Sequence, residues 1–263
     1  MDASVPIFRQ TLAPLGLDVP PAGETDFESL VGEYKARLQP GQGPVHIAGM
    51  TAMAECRAAM IAAQETMCAP VWVSWACNED GESATRVHML AALFVAEGMG
   101  AAAFGLECPE ECAGRLLGEL AANARVPLYY VGRGGITSYS YVPAAKDPDA
   151  IPCATSTAPC FVARTVDVGE ELECGPDLLE DIIAAEDDPV GAVKIAIQEQ
   201  DDVEIFAAHQ YAVRKALCLY SDVPELLEGA LRVYQGRALY DGTGRLEAEE
   251  LDRLSRRYGL IVL

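Results

Sequence analysis

The side chains with the most chemical potential in this 263-residue chain are its nine cysteines and three histidines. Thiolates bind soft metal ions and attack electrophiles, while an imidazole can accept or release a proton near neutral pH. The cysteine count is odd, and the cysteines are spread along the chain rather than packed as in a small secreted domain. We therefore expect reduced thiols, some of which can serve as metal ligands.

His209 is the candidate general acid or base. It follows an apolar run at 203–207, which we predict to be a strand, and barrel enzymes place catalytic residues at the carboxyl ends of strands. The other two histidines lie inside a predicted strand and a predicted helix, where structural roles are more common. Arg133 lies in a glycine-rich run and can bind the carboxylate of an amino acid or a folate tail, or belong to a plain turn.

The composition excludes several classes of partner. The net charge is −21, from 40 acidic and 19 basic residues, and this charge repels phosphate backbones and anionic membranes. No apolar run approaches the length of about 18 residues that a membrane span needs, and the first residues lack the pattern of a signal peptide. We expect a cytoplasmic protein that binds neither nucleic acid nor membrane.

From Val45 onward, short apolar runs alternate with longer helical stretches. Nearly continuous apolar runs are typical of strands that are buried on both faces, and helix-length spacers imply parallel crossovers. Strands are predicted at 45–50, 71–76, 101–106, 127–131, 161–168, 203–207, 216–220, 238–240 and 260–263, and the first helices at 51–67, 84–98 and 109–124.

The spacing of these elements divides the chain into four segments: a leader at 1–43, a β/α half at 44–135, a loop and acidic insertion at 136–200, and a second β/α half at 201–263. Four of the predicted strands lie before the segment 136–200 and four lie after it, and the strand at 161–168 lies within it. The eight outer strands predict a (β/α)8 barrel of the TIM type, composite or incomplete, with a central insertion. Two open half-sheets fit the same count.

The first half carries a family resemblance. The stretches Met50-Thr-Ala-Met-Ala-Glu-Cys-Arg-Ala-Ala, Pro70-Val-Trp-Val-Ser-Trp and Phe104-Gly-Leu-Glu-Cys resemble the middle of a homocysteine S-methyltransferase barrel. That family has a similar Glu-Ala-Arg-Ala-Ala helix, a Pro-Val-x-Val-Ser strand and a strand that ends Gly-x-Asn-Cys. The resemblance covers the chain from Val45 to Gly135.

The second half is similar to the pterin-binding barrel that follows in cobalamin-dependent methionine synthase. The similar stretches are Tyr220-Ser-Asp-Val-Pro-Glu-Leu-Leu-Glu-Gly-Ala-Leu and Gly236-Arg-Ala-Leu-Tyr-Asp-Gly. The family reads approximately Asp-Ser-x-x-Pro-Glu-x-Leu-Glu-Ala-Ala-Leu and Gly-Lys-x-Leu-Ile-Asn-Ser. Both resemblances occur in the order of the family.

The resemblance implies a zinc site that lowers the pKa of the homocysteine thiol. The family uses a cysteine at the Gly-x-Asn-Cys strand end, which matches Cys108, and an adjacent cysteine pair, which this chain lacks. Cys153 and Cys160, in the irregular central loop, are the candidates to complete the site. Cys112, one helical turn beyond Cys108, is another, and ordinary buried thiols are the alternative.

The resemblance also implies a site for the pterin ring of tetrahydrofolate. Tyr220 stands where the family places an acid, and Asp241 stands where it places an asparagine, so Asp241 and Ser221 are the candidate pterin-binding residues.

Two functions follow from the resemblance. The first is a one-carbon methyltransferase, or a subunit of one, that acts on homocysteine, folate and corrinoid methyl groups, with cobalamin carried by a partner protein. The second is a non-catalytic barrel relative that serves as a binding or scaffold protein for methyl-transfer partners.

Overall fold

The computed structural model describes residues 4–16, 24–143, 147 and 149–263. Parts of the predicted leader, 1–3 and 17–23, and of the predicted central loop, 144–146 and 148, lie outside this range. No helix in the described ranges is long and apolar enough to cross a membrane.

The first half of the chain forms a six-stranded sheet in sequential order. Its first five strands are parallel, and the sixth turns back antiparallel. The strands are β1 (Gln10–Leu12), β2 (Val45–Met50), β3 (Val71–Ala76), β4 (Ala103–Glu107), β5 (Leu128–Gly132) and β6 (Gly135–Tyr139), and the helices are α1 (Glu24–Ala36), α2 (Met53–Glu65), α3 (Met89–Gly98) and α4 (Glu110–Asn123).

A two-stranded antiparallel hairpin, β7 (Ile151–Ala154) with β8 (Pro159–Val162), precedes a second sheet. This second sheet has five parallel strands in the order β13-β12-β11-β10-β9. Its strands are β9 (Val168–Glu173), β10 (Ala192–Ala196), β11 (Ala216–Tyr220), β12 (Leu239–Tyr240) and β13 (Ile261–Val262), and its helices are α5 (Leu178–Asp187), α6 (Gln200–His209), α7 (Pro224–Val233) and α8 (Ala248–Tyr258).

The predicted (β/α)8 barrel is therefore wrong: the described strands form two separate, mostly parallel sheets. A barrel would need β5 to pair with a strand of the second half. Instead, β6 folds back along the edge of β5, and β9 covers the edge of β10. Because these edges already have partners, the two half-sheets remain open, which is the alternative that the strand count also allowed.

One predicted strand is a helix, and the predicted strand at 161–168 covers only the end of β8 and the first residue of β9. The strands β1, β6, β7 and β10 were not predicted. Residues 203–207 lie inside α6, because Val203 and Phe206 are buried one helical turn apart and Glu199 and Asp202 form a capping box at its start. Among the strands that were not predicted, β10 lies in the predicted acidic insertion, and every one of its residues is buried.

The helical layers of the two sheets pack against each other, with α2 against α7 and α8, and α3 against α8. Arg57 on α2 is 1% exposed and donates hydrogen bonds to the backbone oxygens of Tyr234 and Gly236, the latter at 2.6 Å. Burial lowers the pKa of Arg57 to about 10, so it stays charged at neutral pH. This guanidinium ties the first half of the chain to the second.

An ionic network lies at the same junction and is centred on the buried carboxylate of Glu228 on α7. Glu228 accepts a hydrogen bond from Tyr258 at 2.7 Å and pairs with Arg253 at 2.8 Å. Arg257 on α8 extends the network to Glu28 on α1 at 2.6 Å. The network thus joins helices from both halves.

We predict that Arg57→Met destabilises the protein by about 2–4 kcal/mol, because two buried carbonyls lose their donor. The exposed Arg256→Met is the matched control and should cost less than about 0.5 kcal/mol. Urea unfolding of both variants measures the difference, and equal free energies of unfolding would contradict the role assigned to Arg57.

Candidate functional site

A cavity of about 630 Å³ opens at the carboxyl ends of β3, β4 and β5. Ligands of open parallel sheets bind at this edge, and the volume is in the range of about 300–1,000 Å³ typical of small-molecule sites. We call it the thiol cavity, and its wall includes Cys77, Glu107, Cys108, Glu110, Tyr130 and Arg133.

Two thiols line this cavity, and a third lies beside them. Cys77 follows β3 and Cys108 follows β4, and Cys108 interacts with both Cys77 and Cys112, which lies in the first turn of α4. Burial raises the pKa of Cys77 to about 12, although its hydrogen bond with Cys108 opposes the shift. Burial also raises the pKa of Cys108, and there the neighbouring thiols add to the effect. Both side chains are therefore neutral thiols at physiological pH.

Below the cavity, the buried side chains of His46 and Ser74 form a polar relay with the half-buried Glu107. The Ser74 hydroxyl donates to Glu107 Oε1 at 2.6 Å and accepts from the backbone N–H of Gly49 at 2.9 Å. His46 Nε2 lies 3.1 Å from the same hydroxyl. Since the only hydroxyl proton goes to Glu107, Nε2 must be the protonated nitrogen of His46. The relay fixes the carboxylate of Glu107 at the cavity wall.

Gly49 makes this arrangement possible. Its φ is +62°, and a Cβ atom there would lie 3.0 Å from a carboxylate oxygen of Glu107. A larger residue at position 49 would therefore strain the backbone and displace the carboxylate of Glu107.

An aromatic floor closes the relay from below. Phe8 stacks on His46 with ring centroids 5.0 Å apart, and Trp72 lies 4.9 Å from Tyr129. The Tyr129 hydroxyl is fully buried and lies beside the Ser74 side chain. Burial holds the pKa of Tyr129 well above its usual range, so it stays neutral. These rings exclude water from the face of the first sheet that is turned away from its helices.

Arg133, predicted to bind a carboxylate, lies exposed on the wall of the thiol cavity. A second cavity of about 380 Å³, between α4 and the β5–β6 turn, shares Arg133, Glu110, Tyr130 and Gly132 with it. Arg133 thus stands between two adjoining spaces.

Asp241 and Ser221, the predicted pterin ligands, lie at the carboxyl edge of the second sheet and already have partners. The Asp241 carboxylate contacts Lys194 Nζ at 2.9 Å and accepts from the Thr243 hydroxyl at 2.7 Å. Burial alone would raise the pKa of Asp241, but the bonds from Thr243 and Lys194 hold it below its usual range. The Ser221 hydroxyl accepts from the Val223 N–H at 3.1 Å, at the start of α7. The role of both residues in pterin binding stays a prediction.

His209 ends helix α6 instead of following a strand, so the premise for its selection was wrong. Its Nδ1 lies 2.8 Å from the Ile205 backbone oxygen, one turn earlier in the same helix. It does not line the thiol cavity.

The other two predicted metal ligands lie away from Cys108. Cys153 and Cys160 face each other across the hairpin β7–β8 and do not line the thiol cavity. Across the ranges that the structure describes, no group of three or more His, Cys, Asp or Glu side chains is placed to hold a metal ion. The donor set therefore does not fit zinc, and we derive no step through a metal.

The sequence analysis did not select Ser74, Glu107 or Lys194 as site residues. Ser74 was visible as a polar residue in an apolar run, and Glu107 stood beside Cys108. Lys194 carried no signal, because its strand was assigned to the acidic insertion.

No family model and no curated protein match the chain. Among solved structures, the first ketoreductase of the tylosin PKS is similar at 12% identity over 97% of this chain and 69% of that one, with a TM-score of 0.26. A TM-score this low supports no statement about fold, so the architecture rests on the observed strand order.

The relay generates a pH prediction. Burial lowers the pKa of His46 from 6.5 to about 4, so the unfolded chain binds more protons than the folded one between these values. Stability should therefore fall by about 2–3 kcal/mol as the pH drops through this window.

Urea unfolding across that window measures this loss, with His46→Gln and the half-buried His209→Gln as a matched pair. The first variant should reduce the pH dependence and the second should leave it intact. The same slope in wild type and His46→Gln would contradict the assignment.

Proposed function

We propose that this chain binds a small amino acid that carries a thiol or thioether, of the homocysteine class, and serves one-carbon metabolism as a subunit of a methyl-transfer system. The observation that carries the proposal is the thiol cavity, where a cation, carboxylates and sulfur atoms line one space at the carboxyl edge of the first sheet.

The charges in the cavity complement an amino acid. Arg133 can form a two-bond contact with an α-carboxylate, and Glu107, held by Ser74, can accept from an α-ammonium group. The exposed Glu110 adds negative charge to the cavity wall. A zwitterion satisfies both sides of the cavity, whereas a simple anion or cation would satisfy one.

The sulfur atoms suit the side chain of such a ligand. Cys77 and Cys108 are neutral, polarizable groups that favour contact with a thiol or thioether. The same environment disfavours a thiolate, because burial and nearby carboxylates oppose negative charge. Activation of the ligand thiol, and a corrinoid or folate methyl donor, would then come from a partner protein in the cytoplasm.

A non-catalytic scaffold for methyl-transfer partners is the second candidate. It gains support from Asp241, because Lys194 occupies the carboxylate that would otherwise accept from a pterin ring. On this view the acidic surface would bind the partner, and the thiol cavity would bind no amino acid.

We predict that L-homocysteine binds the purified protein and that Arg133→Ala weakens its affinity by about 10- to 100-fold, because a charge-assisted contact of about 1.5–3 kcal/mol is lost. Isothermal titration calorimetry measures the dissociation constant. Arg164→Ala, an exposed arginine that does not line the cavity, is the matched control and should bind like wild type.

Homoserine, which replaces the sulfur with oxygen, should bind more weakly than homocysteine if the thiols form the side-chain subsite. Absence of any homocysteine binding would favour the scaffold, and equal affinity for the two ligands would remove the thiols from the proposal.

We further predict that the purified protein contains less than stoichiometric zinc, because the donors in the described part of the chain do not form a metal site. Elemental analysis by mass spectrometry tests this, with Cys108→Ser and the half-buried Cys174→Ser compared. One zinc per chain that disappears only in Cys108→Ser would contradict the prediction and restore the zinc-dependent methyltransferase.

A further inference from the structure

The hairpin β7–β8 carries two cysteines outside the proposed ligand site. Cys153 and Cys160 are directly opposite in the antiparallel register and therefore lie on the same face of the hairpin. We infer that Cys153 and Cys160 form a reversible disulfide when the protein meets a hydroperoxide. This inference does not depend on the proposed ligand.

The geometry of the pair suits a disulfide. Opposed residues in an antiparallel pair have Cα atoms about 4.5–5.5 Å apart, and disulfides span about 4.4–6.8 Å. Cys153 Sγ lies 3.5 Å from the Cys160 backbone oxygen, so its side chain extends towards the partner strand. The bond can form without separating the two strands.

The two thiols differ in exposure and acidity. Cys153 is fully buried against the second sheet, in a cluster with Ala216 and Cys218, whereas Cys160 is half-buried at the edge of this cluster. The hydrogen bond from the Cys153 thiol lowers the pKa of Cys160, although burial opposes the shift, and the same interaction raises the pKa of Cys153. Cys160 is therefore the residue that an oxidant reaches, and Cys153 is the resolving thiol.

The reaction balances with hydrogen peroxide. The Cys160 thiolate attacks one oxygen, the O–O bond breaks, and the departing hydroxide takes a proton to become water, which leaves a sulfenic acid. The Cys153 sulfur then attacks the Cys160 sulfur, the S–OH bond breaks, and the released hydroxide takes the Cys153 proton to form a second water. Two thiols lose two electrons in total, and the peroxide gains them.

The hairpin is a connection between the two halves of the molecule. Its Ala154 exchanges backbone hydrogen bonds with Arg237, and its Ser156 oxygen accepts from His88 N–H at the start of α3. A disulfide across this hairpin would close a short loop at that junction.

The test uses the whole reduced protein and hydrogen peroxide, followed by denaturation, alkylation and trypsin digestion. The chain has no Lys or Arg between Lys146 and Arg164, so both cysteines fall in one peptide, 147–164. We expect this peptide to lose both alkylation sites together, to weigh two hydrogens less than the reduced form, and to recover with dithiothreitol. Cys218, buried in the same cluster, should stay alkylated throughout.

Cys153→Ser should trap Cys160 as a sulfenic acid that dimedone labels, and Cys160→Ser should leave Cys153 unreacted. If either variant fails to fold, the wild-type peptide still decides. A peptide that oxidises at Cys160 while Cys153 stays alkylated, or a disulfide from Cys160 to another cysteine, would overturn the inference.

Discussion

The arrangement of this molecule depends on one buried guanidinium. Arg57 lies in the helical layer of the first sheet and donates to two backbone oxygens of the second half, at Tyr234 and Gly236. Gly236 also allows the hairpin β7–β8 to pack closely at this junction, since a Cβ there would lie 2.0 Å from the Ala154 backbone oxygen. Arg57 therefore holds the helices of the first sheet against those of the second. In a closed barrel, the edge strands β5 and β10 would pair with strands of the other half, but β6 and β9 already occupy these edges. Together with the Arg57 contact, this explains why the chain forms two open sheets and not one closed barrel.

The open first sheet explains how a site can exist without a barrel. The Phe8 ring stacks on His46, on the face of the first sheet that is turned away from the helices. The relay of His46 and Ser74 below Glu107 is therefore shielded from water. Above it, the thiols are neutral and the charged groups lie towards the rim. Such a site suits recognition of a zwitterion with a sulfur atom better than generation of a thiolate. The carboxyl edge of the second sheet differs, because Lys194 and Thr243 satisfy Asp241 internally.

Local patterns predicted much of this structure. The strands β2, β3 and β11 begin and end at the predicted residues, because continuous apolar runs mark them clearly. The prediction was wrong at 203–207, where the apolar run belongs to a helix that begins with a capping box. The pattern also did not identify β10 as a strand. Closure of the sheets was beyond sequence analysis, since it depends on which edges β6 and β9 occupy. Cys108 and Arg133 were predicted as site residues for separate roles, and the structure places both on the wall of one cavity. Ser74 and Glu107 became visible only through contacts between neighbouring strands.

The most direct test of this account is a crystal structure of the protein grown with L-homocysteine. We expect one ligand molecule in the thiol cavity, with its carboxylate on Arg133, its ammonium group on Glu107 and its sulfur beside Cys77 and Cys108. A ligand bound at the Asp241 edge of the second sheet, or an empty thiol cavity at saturating homocysteine, would contradict it.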